Sequence, residues 1–333
     1  MRLSPGKRKG LEAVSDPRGV IGALAIDQRD ALRSLFSAEL KIEKSVVPRE
    51  QLEEFKSIVV RMLSPHASAV LLEPEYGLRA ARQRAPSVGL LMAYEVSGYD
   101  RKVPSRLPRL LENWSVRRLA DAGAQCVKVL LYYSLSDAPE IQERKRVWVE
   151  RVGSECAGCD VPFFLEIVPY QDGLDEKSSQ FARCKPAILA SAMQEFSKPH
   201  YCVDVLKVGV PVTMAYIEGS MDSSGAFVHT RTEALELFRN AAAATDKPFL
   251  FLSAGVSNRA FNEALALASE AGVPFCGVMC GRATWKDGVS VFVRGGADAL
   301  QEWLETQGVQ NMRRINESLE AATPWWENYP ADE

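Results

Sequence analysis

Histidine is nearly missing from this sequence: His66, His200 and His229 are the only three in 333 residues. A catalytic metal held by several imidazoles needs most of them at one point. His66 and His200 each stand just ahead of an apolar run, so in a fold built on such runs they sit at the end where strands begin. No metal site is expected. Long apolar stretches are also missing, and nothing approaches the ~20 residues that cross a bilayer. The basic start leads into residues 11–19, where Glu12, Asp16, Pro17 and Arg18 stand in place of the apolar centre of an export signal.

Charge of one sign is lacking too, since 40 basic residues face 43 acidic ones for a net −3. A nucleic-acid surface would show as a net basic domain or stripe. The short run Lys7-Arg8-Lys9 is instead expected to be a solvated helix face. Neither nucleic acid nor membrane is an expected partner. Seven cysteines form an odd set without a disulfide framework, which points to reduced thiols and the cytoplasm. Cys156 and Cys159 make a lone CxxC with no second pair, expected to be incidental residues in a helix-to-strand turn. Cys276 and Cys280 are expected as small core residues.

What the chain does contain is a rhythm. Short apolar, β-branched runs recur at 20–26, 67–72, 87–93, 125–132, 161–168, 203–210, 248–253 and 274–280. Near-continuous apolarity marks strands buried on both faces, as in a parallel sheet. Amphipathic helical patterns lie between them at 49–63, 115–122, 141–152, 186–196, 232–244 and 259–271. Two of these stop at Gly123 and Gly272, a common helix terminator. Eight βα units over this length predict an α/β fold of the (β/α)8 TIM-barrel class. An open doubly wound sheet would carry a glycine-rich turn after its first strand, and here that strand runs into Ile26-Asp27-Gln28-Arg29. One barrel domain over 1–333 is expected, with extra helices at 297–304 and 310–322 and a loosely held tail at 324–333. Trp325 and Trp326 serve there either as an interface anchor or as packing on the barrel. The loops at 94–113 and 169–185 are long, follow strands three and five, and are candidates for function.

Ionisable residues interrupt these apolar strands. Asp27 closes the first, Lys128 lies in the fourth, Glu166 in the fifth and Lys207 in the sixth. An isolated buried charge costs several kcal/mol or shifts its pKa. Each alone is explained by a strand-end salt bridge, but four toward one end of a barrel converge on a pocket. Two lysines with two carboxylates in a dry site suit imine catalysis. One lysine is the nucleophile, a second cation lowers its pKa, and a carboxylate moves protons. The next strand ends carry small residues and a cation: Ser253-Ala254-Gly255 and Gly281-Arg282. In barrels these two loops often hold phosphate.

The segments ALAIDQR (23–29), GYD (98–100), RLP (106–108), VKVLLYY (127–133), PFFLEIVPY (162–170), VDVLKVGVPV (203–212), FLSAGVS (251–257) and GVMCGRATWKDGV (277–289) run through nearly the whole chain. Together they resemble the tagatose 1,6-bisphosphate aldolase family of class I aldolases. The resemblance implies a reversible aldol cleavage of a ketose 1,6-bisphosphate to dihydroxyacetone phosphate and D-glyceraldehyde 3-phosphate. It implies no cofactor, a phosphorylated ketose as partner, and a homo-oligomer. Lys207 matches the imine-forming lysine and Glu166 the residue that mediates proton transfer. Lys128 and Asp27 match the other charged pocket residues, and either Asp27 or Glu166 can serve as the C4-hydroxyl base. Gln28, Arg29, Ser253, Ala254, Gly255, Gly281 and Arg282 stand where substrate and phosphate are held. One departure is LKVGVP, where family members often read LKVEVP; Gly209 replaces a carboxylate two residues past Lys207. Aldolases for fructose 1,6-bisphosphate or a sulfonated ketose phosphate, and a catalytically reduced regulatory barrel, are the alternatives.

Overall fold

The computed structural model describes residues 2–97, 105–223 and 225–329. Eight parallel strands, β1 (Ile21–Ala25), β2 (Ala69–Leu72), β3 (Gly89–Ala93), β4 (Cys126–Tyr133), β5 (Phe163–Pro169), β6 (Val205–Gly209), β7 (Phe249–Leu252) and β8 (Gly277–Cys280), follow one another around a closed barrel. The seam closes with Ile21 opposite Gly277 and Leu24 opposite Cys280. Each expected strand is present, shortened mostly at the ends where pairing stops.

Helices α1 (Pro5–Val14), α2 (Asp30–Leu40), α3 (Arg49–Leu63), α4 (Leu78–Ala81), α5 (Val116–Asp121) and α6 (Pro139–Cys159) accompany the first half. The second half carries α7 (Ser179–Phe196), α8 (Arg231–Ala243), α9 (Asn258–Glu270), α10 (Arg282–Trp285), α11 (Gly288–Trp303) and α12 (Val309–Glu317). Among the described residues no helix is long and apolar enough to cross a membrane. The glycine stops after α5 and α9 hold, with Gly123 at φ 100° and Gly272 at φ 70°.

Apolar residues sort into two layers because side chains alternate along a strand. One set, with Leu24, Val70, Leu90, Val127, Leu165 and Leu206, faces outward into the helical ring. The other fills the barrel with Ala23, Leu71, Leu91, Cys126, Phe164, Val205 and Leu250. Leu11 and Val14 of α1, together with Trp325 and Tyr329 from the far end of the chain, join this inner set and plug the floor.

Several expectations change here. Helix α1 turns Lys7 inward, where its Nζ meets Asp204 at 2.7 Å with little solvent exposure; Arg8 and Lys9 keep the partly solvated side. Helix α7 begins seven residues before Pro186, because the Ser178 hydroxyl accepts from the Phe181 amide and caps it there, which shortens the loop after β5. Helix α2 was not expected; it fully buries Leu32 and Phe36, with Leu35 and Leu40 partly buried beside them. Phe36 packs edge-on against Phe55 at 5.6 Å and Phe292 at 5.9 Å. Cys156 and Cys159 lie inside the last turn of α6 rather than in a turn, and burial pushes the Cys156 thiol well up. Cys276 and Cys280 are buried, as expected of core residues.

The tail is not loose over residues 324–329. Trp325 is fully buried and donates through Nε1 to the Ser15 hydroxyl at 3.2 Å, and the Tyr329 hydroxyl donates to the Asp204 carbonyl at 2.6 Å. Trp326 is 39% exposed and rests its ring against Gly19, so the buried part of the packing on the barrel is the work of Trp325. Residues 330–333 of the expected tail lie outside the described residues. Removing a buried indole costs about 3–5 kcal/mol, so Trp325→Ala should lower the melting temperature by several degrees. Denaturant unfolding checks this, and a change in stability under about 1 kcal/mol would show that the floor does not depend on the plug.

Candidate active site

Two residues beyond the inner apolar layer the alternation brings charge inward. Cys126 is followed by Lys128, Phe164 by Glu166, Val205 by Lys207, Ala25 by Asp27 and Leu91–Ala93 by Glu95. Glu166 and Lys207 are register partners across β5 and β6, so their side chains are neighbours by construction. The Lys207 Nζ lies 2.7 Å from Glu166 Oε2, and the Lys128 Nζ lies 2.8 Å from that same oxygen. Lys128 also donates to Asp27 Oδ2 and Glu95 Oε1, both at 2.8 Å. All four strand charges noted in the sequence therefore meet in one buried network. The carboxylate of Glu166 stands between the two amines, so Lys207 faces its fellow cation through an intervening negative oxygen.

Burial raises the Asp27 carboxyl, but Lys128 and Lys207 outweigh it and hold Asp27 well below the usual carboxylate range. Glu166 is held low in the same way, against burial, by Lys128 and then Lys207. Burial alone would drive the proton off Lys128, yet Asp27, Glu166 and Glu95 together hold its pKa well up. Lys128 rests as a cation, with Asp27 and Glu166 as anions beside it.

Glu95 is the member of this network that strand reading missed. It follows the end of β3 in a segment whose loop character hid it, although the alternation Leu91, Ala93, Glu95 places it inward. Its Oε2 is buried with no hydrogen-bond partner. Arg29 supports it from the β1 end, with Nη2 at 3.5 Å from Glu95 and Nη1 at 2.8 Å from Glu75. Its terminal nitrogens are thus engaged by carboxylates, leaving Nε unpartnered. Gln28 donates to Asp27 Oδ1 at 3.2 Å, and its own Oε1 is buried and unpaired. These three unpaired atoms belong to side chains lining one cavity of about 230 Å³, shared with Asp27, Lys128, Tyr132, Glu166 and Arg282. Unsatisfied buried polar atoms are costly, and here they ring a space suited to a polyhydroxylated ligand. Two larger hollows, one along α6 and one at the barrel floor, lie away from this charged layer.

At the ends of β7 and β8 the residues expected to hold phosphate lie side by side. Ala254 at φ 49° and Gly255 at φ 80° form a left-handed pair behind the buried Ser253. The Arg282 guanidinium packs so closely on Gly255 that a Cβ there would lie 2.7 Å from its Cζ. Gly281 accepts from the Thr284 hydroxyl at 2.6 Å, and Trp285 Nε1 donates to the Ala25 carbonyl at 3.0 Å, fixing this corner to β1. On the opposite rim, Arg106 stacks over Tyr132 at 4.9 Å and Tyr170 at 4.3 Å and pairs with Glu176 at 2.8 Å. The GYD segment at 98–100 lies outside the described residues. His66 and His200 sit in turns ahead of β2 and β6, at the far end from this layer.

A sequence profile described as DeoC/LacD family aldolase matches residues 21–287. The chain belongs to this family. Tagatose 1,6-diphosphate aldolase 2 of Enterococcus faecalis is 48% identical over 98% of the chain and 97% of its own length. Tagatose 1,6-diphosphate aldolase 1 of the same organism is 48% identical over 96% of each. A Streptococcus mutans tagatose 1,6-diphosphate aldolase 2 is 46% identical over 98% of both. Among solved structures, a fructose-bisphosphate aldolase from Plasmodium falciparum superposes with a TM-score of 0.67 over 100% of this chain and 98% of its own, at 13% identity; that likeness shows the barrel fold. The DeoC/LacD match begins with β1 and ends just past α10, so it spans every element that supplies the charged layer and the residues expected to hold phosphate.

Removing Lys128 would leave three buried carboxylates without their common cation. Breaking a buried ion pair from one side costs about 3–5 kcal/mol, and Lys128→Met should do so. Carboxylates held low stabilise the fold above their unfolded pKa, and this is lost as pH falls through the folded value. Without Lys128, burial wins and the folded values rise, so the acid-unfolding midpoint should move to higher pH. A pH titration of stability followed by circular dichroism checks the direction; an unmoved midpoint contradicts it.

Proposed function

We propose that this chain is a class I aldolase. It cleaves a ketose 1,6-bisphosphate, D-tagatose 1,6-bisphosphate first among them, to dihydroxyacetone phosphate and D-glyceraldehyde 3-phosphate, with Lys207 as the imine-forming nucleophile. The observation that carries this reading is the buried Lys207 amine, 2.7 Å from a carboxylate that a second, permanently charged lysine also holds. The names of the relatives supply the substrate class, and the seven free thiols fit a reducing cytoplasm. The chain works as one barrel domain, with the terminal helices and tail as part of it.

Glu166 accepts a proton from Lys207, and the neutral amine adds to the C2 carbonyl. Glu166 returns that proton to the carbinolamine hydroxyl, water leaves, and an iminium remains. Proton transfer of this kind contributes about 10²–10⁴-fold. Asp27, which lines the cavity and is kept ionised, accepts the C4-hydroxyl proton. The C3–C4 electron pair flows into the iminium, glyceraldehyde 3-phosphate departs, and an enamine is left. Protonation at C3 and hydrolysis release dihydroxyacetone phosphate and restore the amine. Lys128 holds both carboxylates in place and favours their return to the ionised form after each transfer. The backbone N–H groups of 253–255 and Arg282 hold a phosphate, in the barrel region where phosphate sites recur.

Borohydride added with dihydroxyacetone phosphate should fix a covalent adduct on Lys207, located by peptide mass, and Lys207→Ala should give none. Full cleavage activity in Lys207→Ala overturns the reading. Glu166→Gln should lower kcat by about 10²–10⁴-fold in a coupled triose-phosphate assay, whereas a metal chelator should leave the wild-type rate unchanged.

A further inference from the structure

Glu95 engages one of its oxygens and leaves the other bare. Lys128 Nζ donates to Oε1 at 2.8 Å, and Arg29 Nη2 approaches that same oxygen at 3.5 Å. Among the described residues, Glu95 Oε2 is the only buried carboxylate oxygen without a hydrogen-bond partner. Charge balance would be served as well by dividing the two oxygens between the two cations. Here both cations address one oxygen, and the other is left for whatever fills the cavity that Glu95 lines with Asp27, Lys128 and Glu166.

The bare oxygen is held in place. Although β3 ends at Ala93, the backbone on both sides of Glu95 is pinned. The Tyr94 amide donates to the Lys128 carbonyl at 2.9 Å, and the Val96 amide donates to the Arg109 carbonyl at 2.8 Å. Glu95 itself bridges to Leu110 of the returning loop, and its side chain is only 4% exposed. A buried acceptor left unmatched is costly, and an ionised carboxylate accepts only, so it calls for a donor. A sugar hydroxyl is such a donor; a phosphate oxygen or a carbonyl is not.

Position selects the hydroxyl. In the closed strand order β1 and β3 are each three strands from β6, so Asp27 and Glu95 face Lys207 across the barrel. Both hang on the same Lys128 nitrogen, each at 2.8 Å. With C2 bonded to Lys207, C1–C3 stay at the amine, and the part of the ketose that reaches these two carboxylates is C4–C6. Asp27 takes the C4 hydroxyl and C6 carries phosphate, which leaves the hydroxyl on C5. We propose that Glu95 is a specificity-determining residue whose Oε2 accepts a hydrogen bond from this C5 hydroxyl, the α-hydroxyl of the departing aldehyde. This rests on Lys207 as the nucleophile and Asp27 as the C4-hydroxyl base.

The test runs the reaction toward condensation. At saturating dihydroxyacetone phosphate, kcat/KM is measured for D-glyceraldehyde 3-phosphate and for 3-phosphooxypropanal, the same aldehyde without its α-hydroxyl. A hydrogen bond to a charged group is worth about ten- to a hundred-fold, so wild type should favour the hydroxylated aldehyde by that order. In Glu95→Gln the amide oxygen stays with Lys128, and the amide nitrogen puts a donor where the bare acceptor was. The preference should then fall about ten-fold or more. A residue that only steadied Lys128 would slow both aldehydes equally and leave their ratio unmoved. Glu95→Asp keeps the charge beside Lys128 but draws the carboxylate back by one methylene. It should lower the ratio as well, and it decides the comparison if Glu95→Gln does not fold. An unchanged ratio in the folded variants, or no preference in wild type, overturns the assignment. Borohydride with dihydroxyacetone phosphate that fails to mark Lys207 in wild type refutes the nucleophile and the assignment with it, a result distinct from an unmoved ratio.

Discussion

One ammonium group organises the interior of this barrel. Lys128 is 1% exposed and touches carboxylates from three other strand ends, Asp27, Glu95 and Glu166. None of these charges is tolerable alone at such depth, and together they satisfy one another at hydrogen-bond distance. Because Lys128 stays charged, Asp27 and Glu166 stay ionised, and because they stay ionised Lys128 keeps its proton. The arrangement is set before any substrate arrives, which is what electrostatic preorganisation requires. Glu166 links this rigid part to the reactive part, since the oxygen it gives Lys128 is the one it gives Lys207.

The barrel geometry explains why so few elements suffice. Inward positions stack in layers, with Cys126, Phe164 and Val205 below and Lys128, Glu166 and Lys207 one pleat higher. A greasy layer under a charged one keeps water from the floor and leaves a single open end. At that end the left-handed pair Ala254–Gly255 turns the chain sharply beside Arg282. A non-glycine residue at positive φ is uncommon and tends to occur where function needs the backbone held in a particular shape.

Much of this was legible in the residues. Parallel strands announce themselves because both faces are buried, so runs such as 125–132 are apolar almost throughout, and a lysine inside one stands out. That contrast exposed Asp27, Lys128, Glu166 and Lys207. Glu95 gave no contrast, because β3 ends at Ala93 and the carboxylate then sits among loop residues; only counting the alternation past the strand would have found it. Helix α2 was hidden for a related reason, since only Leu32 and Phe36 of its stripe are fully buried and the packing of Phe36 comes from Phe55 and Phe292, far away in sequence. Lys7 and the firmness of the tail were misjudged because Asp204 and Ser15, the partners of Lys7 and Trp325, are distant along the chain. Charge patterning reads neighbours along a helix, and says nothing of a carboxylate two hundred residues on.

The closed seam has a consequence for how the molecule is made. Ile21 cannot pair with Gly277 until β8 has left the ribosome, so β1 waits through most of synthesis with one edge bare. An unpaired edge is a template for wrong partners, and contacts so remote in sequence form slowly. Helix α1, docked beneath β2 to β4 and tied to Asp204 by Lys7, gives the early strands a surface to gather on. The half-made barrel thus has the α1 part of its floor before it has a complete wall.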